Sequence, residues 1–127
     1  MYGFLKKFDG SIEKAHDAVV EAPGREGFGV LTEIDVKATL KMKLDVDRRP
    51  YMILGACNPQ LARQAIDDEP DIGLLLPCNV SLREEEDRSV TVGPLDPAAM
   101  VSLSGREDLQ GFAEDVRSRL LRVRDAL

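Results

Sequence analysis

The chain has 127 residues and a formal net charge of −6 at pH 7, and 31% of its residues are charged and 5% aromatic, with no tryptophan. The negative charge and the few aromatic rings argue against a surface built for nucleic acid. The length suits a single domain, residues 1–127, whose core is large enough to fold without disulfides or metal.

The sequence contains no apolar run of about 18 residues, which a transmembrane helix would need. Its first ten residues, MYGFLKKFDG, lack the apolar stretch of a signal peptide. We therefore expect a cytoplasmic protein that does not associate with membranes. In that compartment the two cysteines are expected to be reduced.

The first third of the chain predicts two strands and two helices. Alternation of side chains predicts a strand over Tyr2–Phe8, and Ser11 or Asp9 can cap a helix that ends near Ala22. A second strand is predicted over Phe28–Ile34. Asp35 then caps a short helix that ends near Leu44.

The central segment, residues 51–80, predicts a strand, a helix and another strand, and it contains both cysteines. Both faces of the first strand, residues 51–57, are apolar, which places it inside the sheet. Asn58 caps the helix, Pro59 takes its first position, and Glu69-Pro70 ends it. In the second strand one row of side chains is expected to face the core: Leu74, Leu76, Cys78, Val80 and Leu82.

The last third predicts a hairpin and two helices. The acidic run Glu84–Asp87 forms the tip of the hairpin, and Ser89–Val92 is the returning strand. Asp96-Pro97 starts a short helix, and an apolar stripe from Leu109 to Leu127 marks a longer one. The predicted fold is a two-layer α+β domain with a mostly antiparallel five-stranded sheet, helices on one face, and the order β-α-β-α-β-α-β-β-α-α.

Three runs of this sequence resemble one known family: FGVLTEIDVKATLKMKL (residues 28–44), YMILGACNP (51–59) and IGLLLPCNV (72–80). Together they resemble the bacterial and archaeal family called domain of unknown function 302, over nearly the whole chain. The resemblance implies a small two-layer α+β domain, often found as a dimer. It implies no activity, because none is established for the family.

The two cysteines can be interpreted in two ways. A free cysteine often behaves as a small buried apolar side chain, and no C-x-x-C pair is present. Alternatively, neighbouring strands bring Cys57 and Cys78 together with Asn58 and Asn79. The adjoining helix N-terminus would then lower the pKa of Cys57 and favour redox chemistry. Two thiolates would also suit a soft ion such as Cu(I), with the thioethers of Met52 and Met100.

A second polar group lies at the end of the second predicted strand. Glu33, Asp35 and Lys37 either cap the next helix and meet solvent, or help to bind a small ligand with the amides of Asn58 and Asn79. His16 is the only histidine, and its place off the apolar stripe predicts a solvated residue. One histidine and no G-x-S-x-G motif give no basis for a catalytic triad.

These observations lead to a hypothesis about function. The chain is expected to be a homodimeric small-ligand-binding domain, with no cofactor, metal ligand or catalytic residue assigned. Its ligand would meet a set of six residues: Cys57, Asn58, Cys78, Asn79, Glu33 and Lys37. The alternatives are soft-metal binding or redox chemistry through the two cysteines, and an interaction module whose dimer is the functional object.

Overall fold

A computed structural model describes residues 2–127. Within this range five strands form one sheet in the order β1-β5-β4-β3-β2, and every neighbouring pair is antiparallel. The strands are β1 (Lys6–Phe8), β2 (Gly29–Asp35), β3 (Tyr51–Cys57), β4 (Cys78–Glu84) and β5 (Val90–Pro94).

Helices connect and follow these strands. They are α1 (Ile12–Glu21), α2 (Val36–Leu44), α3 (Pro59–Asp68), α4 (Pro97–Ser104) and α5 (Gln110–Asp125). Short 3₁₀ turns occupy Ala22–Glu26, Pro70–Leu75 and Glu107–Leu109. Within residues 2–127, no helix has both the length and the apolar character that crossing a membrane requires.

Side-chain caps fix where most helices begin. Ser11 accepts a hydrogen bond from Lys14 N, and Asp35 accepts one from Ala38 N. Asp96 accepts from Ala98 N at the start of α4, where proline follows directly. These bonds satisfy backbone donors that have no partner inside the helix. The predicted caps of the first, second and fourth helices are therefore confirmed.

The helices cover one face of the sheet. Its core joins α1 to the three central strands through eight buried residues: Ile12, Ala15, Val19, Leu54, Val80, Leu82, Val90 and Val92. A second cluster joins Phe4 and Phe28 to Val116 and Leu120 of α5. The predicted two-layer α+β fold with an antiparallel sheet is confirmed.

The opposite face of the sheet is less covered. Ile34 on this face is 49% exposed. Gly55 lies on this face between Thr32 of β2 and Pro77, and a Cβ at this position would contact both side chains. The neighbouring strand and the loop before β4 therefore approach β3 closely at this glycine.

Three local predictions were wrong. The first strand pairs regularly only over Lys6–Phe8, because β5 offers partners only to these residues; Gly3 makes an isolated bridge to Leu95. The strand predicted from Leu74 begins at Cys78, and Leu74 is 88% exposed. A 3₁₀ turn occupies Pro70–Leu75, so the alternating apolar residues of this segment do not belong to the sheet. The returning strand runs to Pro94, two residues further than predicted.

Candidate functional site

A cavity of ≈ 350 Å³ lies where β3 ends and β4 begins. Three helices lie around it, together with the first half of β2 and the loop before β4. The residues that line it are mostly aliphatic or aromatic: Phe28, Leu31, Thr32, Ala56, Cys57, Asn58, Leu61, Ala62, Ala65, Ile66, Ile72, Leu76, Pro77, Cys78, Pro97, Met100, Val101, Leu109, Phe112, Ala113 and Val116. No charged side chain is among them. The cavity can therefore enclose an apolar molecule.

Asn58 joins the cavity wall to the surrounding backbone. Its Oδ1 accepts a hydrogen bond from Leu61 N at 3.2 Å, which is the predicted N-cap of α3. Its Nδ2 donates to the backbone oxygen of Glu26 at 3.3 Å. The side chain is 8% exposed, and the two hydrogen bonds replace those that its polar atoms lose to water on burial. Asn58 holds the cavity in shape, and its amide is already engaged.

The two cysteines lie close together on the wall. The register pairs Cys78 with Ala56, the residue before Cys57, and both thiols are free and half-buried. Burial raises the pKa of Cys57, and burial with the nearby Cys57 raises the pKa of Cys78 to about 11. The lowered pKa that the redox alternative would need at Cys57 is not found, because burial of the thiol raises its pKa.

Asn79 does not join this wall. It follows Cys78 on the same strand, so its side chain points to the other face of the sheet, and it is exposed. Its backbone oxygen accepts a hydrogen bond from Leu95 N at 3.0 Å. The predicted meeting of both cysteines with both asparagines is therefore wrong for Asn79.

Glu33 and Lys37 also lie away from the cavity. They belong to a separate polar surface between α1, β2 and the start of α2, where Lys37 lines a shallow groove beside His16 and Asp35. Asp35 caps α2, as expected. The structure thus brings together three of the six predicted site residues, Cys57, Asn58 and Cys78.

His16 is less solvated than the sequence indicated. Its Nε2 donates to Glu33 Oε1 at 2.7 Å, and its Nδ1 lies 3.4 Å from Asp17 Oδ1. The hydrogen bond to Glu33 is the main cause of a raised His16 pKa, and its side chain is 26% exposed. This pair ties α1 to β2 and lies outside the cavity.

Most of the cavity wall was not predicted from the sequence. Ala62 and Ala65 of α3 and Ala113 of α5 leave space because their side chains are small. Met100 was considered only as a metal ligand, and it lines the cavity, whereas Met52 packs against the core. The sequence of α4 could have indicated part of this wall. This helix is apolar on more than one side, which is typical of a helix that is contacted from several directions.

The chemistry available at this site is limited. Among residues 2–127, no group of three or more histidine, cysteine or acidic residues is placed to hold a metal ion. The thiols are the reactive groups of the wall, and both are protonated near neutral pH.

Comparison with known proteins agrees with this fold. A crystal structure of an "uncharacterized conserved protein DUF302 from Bacillus stearothermophilus" is similar, with a TM-score of 0.92 and 27% sequence identity. The match covers 99% of this chain and 98% of that one. A search of curated proteins found no match. The family model "Domain of unknown function DUF302" matches residues 5–127. The chain therefore belongs to the family Domain of unknown function DUF302.

Proposed function

We propose that this chain is a binding domain for a small molecule that occupies the cavity between the sheet and α3, α4 and α5. The observation that carries the proposal is a cavity of ≈ 350 Å³ with apolar walls in a chain of 127 residues. Ligand sites typically have volumes of about 300–1,000 Å³ and apolar walls with few polar groups.

An apolar molecule in this cavity would remove the apolar walls from water, and the burial of apolar surface is favourable. Whole domains are stable by only about 5–15 kcal/mol, so a ligand that fills the space would stabilise the fold substantially.

Fluorescence titration with the uncharged apolar dye N-phenylnaphthylamine tests the proposal. Wild type is expected to bind one dye per chain, and Ala62→Leu, which narrows the cavity, should weaken binding at least about ten-fold. Ala38→Leu adds the same side chain on the exposed surface of α2 and should leave binding unchanged. Equal binding by all three proteins, or none by wild type, would overturn the proposal.

The proposal includes a homodimer. β2 lies at an edge of the sheet, and no strand pairs with its outer side among residues 2–127. An exposed edge strand with apolar side chains such as Ile34 is suited to pairing with a second copy. Sedimentation should give twice the chain mass, and Ile34→Lys should give a monomer. Leu103→Lys on α4, also at an exposed apolar residue, is the matched control.

A second candidate function is binding of a soft metal ion such as Cu(I). Its support is that Cys57, Cys78 and Met100 line the same cavity, and soft sulfur ligands select such ions. Because both thiols are protonated near neutral pH, binding must release protons and tighten as pH rises.

Competition for Cu(I) with a coloured chelator tests this candidate. Cys57→Ser and Cys78→Ser should each abolish binding, and Met100→Leu should weaken it. Met52→Leu is the control, because Met52 packs against the core instead. Binding that survives both cysteine changes would rule the site out. The same variants test a redox role, in which a disulfide would have to form reversibly.

The remaining parts of the proposal concern location and partners. Two unpaired thiols suit the reducing cytoplasm, and a net charge of −6 opposes binding to nucleic acid. If the dimer forms but neither dye nor Cu(I) binds, the interaction module becomes the better account.

A further inference from the structure

We propose that the cavity selects uncharged, mostly hydrocarbon molecules and rejects ligands that carry a charge into it. This inference rests on the proposed function and names the class of ligand. It follows from the chemistry of the side chains that line the cavity.

The wall offers no counter-charge. Its residues include no aspartate, glutamate, lysine, arginine or histidine. A charged group that enters such a space loses its hydration and gains no partner, which costs several kcal/mol per ion in proteins. An ionised ligand would therefore bind far more weakly than a neutral one of the same shape.

The N-termini of α3 and α4 do not replace that missing charge, and at the start of α5 the Gln110 N–H already donates to the Glu107 carbonyl oxygen. Free backbone N–H groups at a helix start often bind anions. Here Asn58 occupies the start of α3 and Asp96 that of α4, and Pro59 and Pro97 follow them without an N–H group.

The polar side chains of the wall are Thr32, Asn58 and the two cysteines, and none of them carries a charge. Asn58 Oδ1 accepts a hydrogen bond from Leu61 N, and Asn58 Nδ2 donates one to the carbonyl oxygen of Glu26. No buried side-chain nitrogen or oxygen of residues 2–127 lacks a hydrogen-bond partner. Such an atom would have indicated a polar group on the ligand. The thiols of Cys57 and Cys78 are neutral near pH 7 and donate only weak hydrogen bonds.

Displacement of bound N-phenylnaphthylamine by three naphthalenes tests the inference. Methylnaphthalene is neutral, naphthoate is an anion, and naphthylmethylammonium is a cation at pH 7. Their charges lie at or next to the ring, so the charge must enter with the ring. We expect methylnaphthalene to displace the dye at a concentration at least about ten-fold lower than either ion.

Two further measurements, one that changes the charge of the ligand and one that changes the charge of the wall, also test the selectivity. Naphthoate should gain affinity as pH falls toward about 4, where carboxyl groups become protonated. Met100→Lys introduces a cation into the wall and should improve binding of naphthoate relative to methylnaphthalene. Val20→Lys, at an exposed position of α1 outside the cavity, should not.

The possible outcomes separate the two proposals. If wild type binds naphthoate or the ammonium ion as well as methylnaphthalene, the selectivity is wrong and the binding function stands. If the dye does not bind wild type at all, the binding function itself is wrong. If dye binds and only methylnaphthalene displaces it, both are supported.

Discussion

Replacing Ala62 by leucine provides a direct test of whether the cavity is real space. Ala62 lies on α3, is half-buried and lines the cavity. The substitution adds three carbons, and each carbon buried is worth about 0.8 kcal/mol. With about half of this gain realised at a half-buried position, the free energy of unfolding should rise by roughly 1–2 kcal/mol. For a chain of this size that corresponds to a rise in Tm of roughly 5 °C.

The assay is urea unfolding followed by circular dichroism, with Ala38→Leu as the control. Ala38 is exposed on α2, and alanine and leucine are both good helix formers, so the control should change stability by less than about 0.5 kcal/mol. A tightly packed site would respond in the opposite direction, because overpacking costs about 1–3 kcal/mol. A loss of stability in Ala62→Leu, with the control unchanged, would refute the cavity and the binding proposal with it.

Three other predictions follow from the packing and the ionisable groups. Both cavity thiols should react slowly with a coloured thiol reagent below pH 8.5, Cys78 the more slowly, and a fast phase with a midpoint well below that pH would contradict the burial described. Because the His16 pKa is raised, its pair with Glu33 stabilises the fold below pH 6.5 and loses this effect as pH rises through the folded-state pKa. Unfolding at pH 6 and pH 8 should therefore show a stability difference, under about 1 kcal/mol, that Glu33→Gln reduces and that Asp17 in part maintains; an unchanged difference in Glu33→Gln would show that the pair does not stabilise the fold. Gly55→Ala should destabilise by about 1–3 kcal/mol, because its Cβ would meet Pro77 Cγ at 2.7 Å, whereas Gly111→Ala in α5 should be neutral or stabilising; equal effects would show that the strand relaxes.

The sequence predicted best where local chemistry decides the structure. The bounds of α2 and β3 and the start of α3 agree with the prediction, because Asp35, Asn58 and Pro59 carry cap signals that act within one turn. The apolar run before Cys78 was predicted as part of a strand, but most of it lies in a 3₁₀ turn. Short apolar runs fit strands and buried turns equally well, so periodicity does not separate them.

The candidate site was partly predictable for a related reason. Cys57 and Asn58 are neighbours in sequence, and antiparallel pairing of β3 with β4 brings Cys78 beside them. Asn79 was predicted to join the site together with Cys78. In a strand, however, adjacent side chains point to opposite faces of the sheet. The cavity itself depends on how far α4 and α5 stand from α3, and apolar stripes do not encode that separation.

The double engagement of Asn58 also bears on how such a domain can change over evolutionary time. Its two hydrogen bonds hold the start of α3 against the backbone at Glu26, so it maintains the shape of the cavity without specifying the guest. Residues such as Ala62 and Met100 shape the space and make no such bonds. Substitutions at these wall positions can therefore change which molecule fits while the fold stays intact. Stability and ligand selectivity then depend on different residues.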